Sequence, residues 1–202
     1  MNALKNLQRR AAYDARNRQL DKDGMSRIIC AQFIIHPAYR SAKTVMWYVH
    51  CRSEVRTQSA LLDELATDKR IVIPYCTKDE QGYNRLGLWW LEDFAELVPG
   101  MWGILEPPMQ RWGEAGKEID PEQIDCILVP GVAFDRNGGR LGNGAGYYDC
   151  LLKSVRADAV LIGVCFESQL VEQVVMDAHD VAMDYVITEK TIYAGKGRQW
   201  SN

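Results

Sequence analysis

The chain has 202 residues, of which 47% are hydrophobic and 25% charged, so it can bury one core and is too apolar to be disordered. Its formal net charge of −3 argues against a general nucleic-acid-binding protein, which needs a basic surface to displace counterions. No apolar run approaches the roughly 20 residues that span a bilayer, and no signal peptide is visible. The six cysteines and three histidines show no metal-binding spacing. We expect a cytoplasmic protein with reduced thiols that binds neither nucleic acid nor membrane.

Apolar runs alternate with amphipathic stretches along the chain. In chain order the predicted elements are helices at 2–22 and 26–35, a strand at 45–50, a helix at 57–66, strands at 70–74, 86–91 and 125–130, a glycine-rich loop at 131–146, a helix at 147–155, and strands at 160–166 and 185–188. Thr57 is the expected N-cap of its helix. This alternation predicts an α/β three-layer sandwich with a mainly parallel central sheet, formed by residues 1–202 as a single domain.

The first helix is polar and rich in arginine. Its thin apolar stripe is expected to consist of Leu4, Leu7, Ala11, Ala12 and Ala15. At about 100° per residue, Lys5, Arg9 and Arg16 fall within roughly 40° of one another on a different face. Such a basic face can reach phosphate groups, although a solvated charged surface explains the same spacing.

The most informative segment is the glycine-rich stretch from Gly138 to Gly146, which follows a predicted buried strand and precedes a helix. Glycines allow backbone N–H groups to approach an anion, and the helix that starts near Tyr147 adds the positive end of its dipole. Arg140 supplies a cation suited to phosphate oxygens, and Asp149 supplies a carboxylate suited to Mg²⁺. The spacing matches neither a Walker A loop nor the dinucleotide-binding fingerprint. A glycine-rich surface turn without a ligand is the alternative.

Three further pieces of sequence accompany this stretch: the basic face of the first helix, Glu54-Val-Arg-Thr57, and Trp102-Gly-Ile-Leu-Glu-Pro107. Together with Pro130 to Asp149, which includes Phe-Asp, Arg-Leu-Gly and Gly-Tyr-Tyr-Asp, they resemble the 5-formyltetrahydrofolate cyclo-ligase family over nearly the whole chain. The resemblance implies a fold of the NagB/RpiA/CoA-transferase type. It also implies a Mg-ATP-dependent ligase that cyclises 5-formyltetrahydrofolate to 5,10-methenyltetrahydrofolate through an iminium phosphate.

The resemblance also assigns roles to individual residues. It implies catalytic roles for Arg140 and Tyr147. It implies ATP contacts for Lys5, Arg9, Gly139, Arg140, Leu141, Gly142, Asn143, Gly144, Ala145, Gly146, Tyr147 and Tyr148. It implies folate contacts for Val49, Glu54, Trp102, Asn143, Gly144, Ala145, Gly146 and Tyr147. Val49 suits the core equally well.

Asp149 and Asp177 are the implied Mg²⁺ ligands, with Asp180 and Asp184 as alternatives to Asp177. The expected partner is 5-formyltetrahydrofolate, with or without a polyglutamate tail, and the expected state is a monomer. Two rival functions remain open at this point: an ATP-dependent enzyme with a different formamide or carbonyl substrate, and a non-catalytic nucleotide or folate sensor.

Overall fold

The computed structural model of the chain describes residues 2–100 and 103–198. Within these ranges the α-helices are α1 (Asn2–Arg18), α2 (Lys22–Ile35), α3 (Pro37–Ser41), α4 (Gln58–Glu64) and α5 (Tyr147–Ser154). The strands are β1 (Thr44–Met46), β2 (Arg70–Lys78), β3 (Asn84–Leu91), β4 (Val98–Pro99), β5 (Leu105–Glu106), β6 (Cys126–Pro130), β7 (Ala133–Phe134), β8 (Arg140–Leu141), β9 (Val160–Val164), β10 (Tyr185–Ile187) and β11 (Ile192–Ala194).

The central sheet has seven strands in the order β11-β10-β9-β6-β1-β2-β3. The pairs from β10 to β2 are parallel, and β11 and β3 join the two edges in antiparallel orientation. One buried cluster packs α2 and α3 against one face of this sheet, and a second cluster packs α5 against the other face. The predicted three-layer sandwich with a mainly parallel sheet is therefore confirmed.

The predicted strand at 45–50 ends early, because the last backbone bond in line with β1 runs from the Trp47 N–H to the Val72 carbonyl oxygen. The chain then turns inward, and the Thr57 hydroxyl donates to the Tyr48 carbonyl oxygen over 2.6 Å. Thr57 occupies the N-cap position of α4 as predicted, but its side chain makes no capping hydrogen bond there. The buried hydroxyl satisfies a buried carbonyl instead.

Of the apolar stripe predicted for α1, Ala12 is buried, Ala15 is half-buried, and the rest is exposed. Leu4 and Leu7 are 51% and 63% exposed, whereas Lys5 and Arg16 are only 5% and 4% exposed. Helix α1 thus docks through its basic face, which meets carboxylates and carbonyl oxygens. Ala12 adds an apolar contact, because it is buried in a small cluster with residues of β7 and β8.

The loops that follow β1, β6 and β9 leave the sheet at one edge, because these strands are parallel. Open α/β sheets bind ligands beyond the carboxyl ends of their strands. Both segments singled out in the sequence, around Glu54 and from Gly131 to Gly146, follow such strand ends. No helix of the described residues is long and apolar enough to cross a membrane.

Candidate active site

The glycine-rich stretch consists of a buried half and an exposed half. In the buried half, β7 and β8 form a short antiparallel hairpin that the sequence interpretation treated as loop. The buried Asp135 carboxylate accepts the N–H groups of Asn137, Gly139 and Val174 over 2.8, 2.9 and 2.8 Å. Gly138 has a φ of 91°, and a Cβ there would collide with the Met183 carbonyl oxygen, so only glycine fits. This half is a rigid frame, in which the Gly139 N–H is already satisfied.

The exposed half is the tip of the loop, Asn143 to Gly146. Gly144 and Gly146 have φ angles of 94° and 78°, which turn the backbone sharply before α5 begins at Tyr147. Within the described part of the chain, no acceptor receives a hydrogen bond from the N–H groups of residues 143–146. Consecutive free N–H groups at the start of a helix are a typical binding site for an anion.

Three side chains from other elements hold this tip in place. The Arg9 Nε donates to the Gly142 carbonyl oxygen over 2.9 Å, and the Tyr13 hydroxyl donates to the Asn143 side-chain oxygen. From β3, the Asn84 amide donates to the Ala145 carbonyl oxygen over 3.2 Å. The tip is therefore anchored through its carbonyl and side-chain oxygens, which leaves its N–H groups free for a ligand.

Arg140 and Asp149 form an ion pair directly below the tip. The Arg140 Nη2 lies 2.7 Å from the Asp149 Oδ1, and its Nη1 donates to the Pro130 carbonyl oxygen over 3.4 Å. The guanidinium lies over the Tyr148 ring, 5.6 Å from its centroid, and its buried Nε has no hydrogen-bond partner. Burial, followed by the charge of Glu54, raises the pKa of Tyr148. Arg140 is thus a fixed cation that retains one unused donor.

The other predicted metal ligand, Asp177, lies in a separate acidic cluster with Asp180 and His179. The Lys5 ammonium is 2.7 Å from the Asp177 Oδ2 and 2.5 Å from the Asp180 Oδ2. Burial alone would lower the pKa of Lys5, but hydrogen bonds to both carboxylates outweigh it and raise that pKa. The buried Asp177 Oδ1 accepts no hydrogen bond. Two carboxylates with one unused oxygen form a donor set that suits Mg²⁺.

Asp184, the other alternative to Asp177 as a metal ligand, forms hydrogen bonds to the backbone of β9. Its Oδ2 accepts the Leu161 N–H over 2.7 Å, and its own N–H donates to the Leu161 carbonyl oxygen. Asp184 therefore uses its Oδ2 and its backbone N–H at the junction between β9 and β10.

Glu54 occupies a half-buried position after β1, with 15% of its side chain exposed. Its Oε2 accepts the Cys51 N–H over 2.9 Å, and the Arg16 Nη1 lies 3.9 Å from its Oε1. Burial raises the pKa of Glu54, while the Cys51 N–H and the Arg16 charge act in the opposite direction. Arg16 also donates to the Ser53 hydroxyl over 3.1 Å and to the Gly131 carbonyl oxygen. Arg16 therefore connects α1 with the loops that follow β1 and β6.

The other folate contacts that the resemblance implies, Val49, Tyr147 and Trp102, differ from one another in their surroundings. Val49 is buried in the core cluster. The Tyr147 hydroxyl lies beside the Cys76 thiol, and burial, followed by the charge and hydrogen bond of Cys76, raises the pKa of Tyr147. Its phenol therefore stays protonated and can donate a hydrogen bond. Trp102 lies outside the described residues.

Sequence patterns assigned no role to Tyr13, Asn84 or Asp135, which the structure brings to this edge. Helical spacing places Arg16 on the basic face of α1, the resemblance makes Asp180 an alternative metal ligand, and both lie at this edge. For Asp135 the signal was present as the Phe-Asp before the glycines. Tyr13 and Asn84 are remote in sequence from the loop tip, so only the tertiary fold reveals their contacts.

Comparison with known proteins decides the family. Residues 2–189 match the model of the 5-formyltetrahydrofolate cyclo-ligase family. The chain belongs to this family. It is 35% identical to the 5-formyltetrahydrofolate cyclo-ligase of Mycolicibacterium smegmatis over 74% of this chain and 75% of that protein. The mouse 5-formyltetrahydrofolate cyclo-ligase is 28% identical over 81% and 82% of the two chains.

A solved structure supports the same relationship. The 5,10-methenyltetrahydrofolate synthetase of Aquifex aeolicus superposes with a TM-score of 0.77 at 30% identity, covering 98% of this chain and 97% of that one. The protein is thus an enzyme of the cyclo-ligase family, and its loop tip belongs to a fold shared across nearly the full length of both chains.

We expect Asp135→Asn to destabilise the protein by about 1–3 kcal/mol, because the new amide group cannot accept the buried N–H that a carboxylate oxygen satisfied. Urea unfolding followed by tryptophan fluorescence measures this loss. Asp68→Asn, at an exposed carboxylate, is the matched control and should change stability by less than about 0.5 kcal/mol. Equal stability of the two variants would contradict a framing role for Asp135.

Proposed function

We propose that the protein converts 5-formyltetrahydrofolate to 5,10-methenyltetrahydrofolate, with Mg-ATP as co-substrate and ADP and phosphate as products. Family membership supports the folate substrate. The free N–H groups of residues 143–146, at the start of α5, carry the nucleotide part of the proposal, since they are placed to receive a phosphate group.

The chemistry explains why ATP is needed. The formyl carbon on N5 is amide-like and therefore a poor electrophile. Transfer of the γ-phosphoryl group to the formyl oxygen gives an iminium phosphate and ADP. The N10 lone pair then attacks the activated carbon, the C–O bond breaks as phosphate leaves, and the N10 proton passes to that phosphate. Positioning and charge stabilisation account for most of the catalysis of such a transfer.

The residues around the tip divide this work. We propose that the N–H groups from Asn143 to Gly146 hold the triphosphate, and that Arg140 balances the charge that develops on the transferred group. Lys5 and Arg9 reach the same edge from α1. Gly139 and Leu141 contribute as the buried frame, and Tyr148 supports the Arg140 guanidinium.

The acidic residues fit a divalent cation. Asp149, beside Arg140, is one proposed Mg²⁺ ligand. Asp177, in the separate cluster beside Lys5, is the other, with Asp180 as the alternative to Asp177. The unused Asp177 Oδ1 supports this assignment. When bound, Mg²⁺ would neutralise charge on the phosphate oxygens.

The folate would lie between the loop tip and the segment after β1. In this arrangement the Glu54 carboxylate accepts hydrogen bonds from the N–H groups of the pterin ring. The protonated Tyr147 and the tip backbone from Asn143 to Gly146 orient the formyl group. Val49 supports the segment that carries Glu54 from the core, and Trp102 is the proposed stacking partner of the pterin ring.

Other properties of the protein complete the proposal. We propose that residues 1–202 act as a single domain and as a monomer, with no nucleic-acid partner. The six cysteines are unpaired, which favours a reducing compartment such as the cytoplasm.

The decisive experiment mixes the protein with 5-formyltetrahydrofolate and Mg-ATP and follows the absorbance of the methenyl product together with ADP release. We expect both signals to need ATP and to appear in equal amounts. ADP release with other formamides but not with this folate would indicate the rival ligase. Binding of nucleotide or folate without any turnover would indicate a sensor and would contradict the proposal.

We expect Arg140→Ala to lower kcat about 30- to 1,000-fold, which corresponds to about 2–4 kcal/mol of lost transition-state stabilisation. Arg140→Lys keeps the charge without the planar fork and should be intermediate. Arg136→Ala removes an exposed arginine of the same loop and is the matched control. If Arg140→Ala has the same unfolding midpoint as the control and a kcat within twofold of it, Arg140 has no role in catalysis.

We expect Arg16→Met to shift the acid limb of the kcat/KM profile to higher pH, because loss of the guanidinium leaves burial less opposed in raising the pKa of Glu54. Since that carboxylate must be ionised to accept pterin hydrogen bonds, activity falls as the pH drops through its pKa. Arg16→Lys should keep the wild-type limb. If the kcat/KM profile of Arg16→Met coincides with that of the wild type, the proposed contact between Glu54 and the pterin ring is contradicted.

A further inference from the structure

The segment that carries Glu54 also lines a separate cleft of about 440 Å³, on its side toward the first turn of α2. The lining residues are Asp23, Ser26, Arg27, His50, Arg52, Arg56, Gln58 and Ser59. None of them belongs to the loop tip or to the acidic cluster, so the nucleotide and metal assignments leave this cleft unexplained.

The lining is rich in hydrogen-bond donors. Three guanidinium groups face one carboxylate, Asp23, which is already paired with Arg56. The His50 Nδ1 accepts the Thr57 N–H over 3.3 Å, so in the neutral imidazole the remaining proton lies on Nε2 as a further donor. Burial, followed by the charge of Arg56, lowers the pKa of His50 and favours this neutral form. The cleft thus offers many donors and few acceptors.

Two of the arginines, Arg27 and Arg52, have exposed side chains, and the charge of Arg27 acts on Asp23 only from beyond ion-pair distance. In the described ranges, no carboxylate lies within ion-pair distance of Arg27 or Arg52. Arg52 is also held at a φ of 54°, an uncommon conformation for a residue with a side chain. The surrounding turn is closed by hydrogen bonds between Cys51 and Glu54 in both directions, which fixes this conformation. A strained turn that presents an unpaired cation is typical of a binding site.

We propose that this cleft is a second anion-binding site, distinct from the loop tip, for a compact molecule that carries at least two carboxylate or phosphate groups. Guanidinium groups recognise both kinds of anion through paired hydrogen bonds. Two sources supply such groups: the glutamyl end of the folate substrate, and a free polyanion. The first source rests on the proposed function, whereas the second does not.

Calorimetric titration at low ionic strength tests the site with two probes, tri-γ-glutamate and tripolyphosphate. We expect Arg27→Gln/Arg52→Gln to bind tri-γ-glutamate at least tenfold more weakly than the wild type, because each lost charge-assisted contact is worth about a factor of ten. The affinity for tripolyphosphate should fall by less, because this probe can still bind at the loop tip of the double variant. Arg10→Gln/Arg40→Gln removes two exposed arginines elsewhere and should leave both affinities unchanged.

A second arm separates the two sources. If the glutamyl end is the ligand, 5-formyltetrahydrofolate with three γ-glutamyl residues should bind the wild type more tightly than the form with one, and the double variant should abolish that difference. If a free polyanion is the ligand, the double variant loses the probes but treats both folates alike.

The proposal is overturned if tri-γ-glutamate does not saturate the wild type, or if both double variants bind it equally. Thermal unfolding of each variant shows that the comparison concerns folded protein. These titrations measure binding and need no turnover. If the protein shows no cyclo-ligase activity, the proposed function is contradicted, but binding at this cleft can still be tested.

Discussion

The carboxylate of Asp135 holds together the two segments that make the candidate active site. Its oxygens accept N–H groups from the loop after β6 and from Val174, in the chain that leads to the acidic cluster. A buried carboxylate is tolerated only when its oxygens are satisfied in this way. The frame takes up its own N–H groups, and the exposed tip that follows keeps donors that no protein atom uses.

The second constraint is the way α1 attaches. Lys5 and Arg16 are almost fully buried, and an unpaired cation in such a position would be strongly destabilising. Each therefore has acceptors on a different loop: the acidic cluster for Lys5, and the segments after β1 and β6 for Arg16. Because α1 contacts the loops after β1, β6 and β9, its position depends on all three together. The same helix that supplies cations to the proposed phosphate site also adjoins the carboxylate proposed for the pterin.

The sequence predicted the sheet well because its strands are buried on both faces. Continuous apolar runs such as β6 and β9 can form little else between loops. It predicted the loop because five glycines and an arginine in one stretch are a strong local signal. The errors have a different origin. The exposure of Leu4 and Leu7 on α1 and the β7–β8 hairpin depend on tertiary contacts, which local periodicity does not contain. Likewise, the spacing of Asp177, Asp180 and Asp184 cannot show that the last of them belongs to the sheet.

The contact of Lys5 with Asp177 and Asp180 has a consequence for the protein without ligands. Two carboxylates so close together repel each other, and a pair left alone would separate or take up a proton. The lysine ammonium acts as an internal counterion that holds both oxygens in place. The two carboxylates are therefore kept together before any ligand arrives, and loss of the Lys5 charge would leave them without their shared partner.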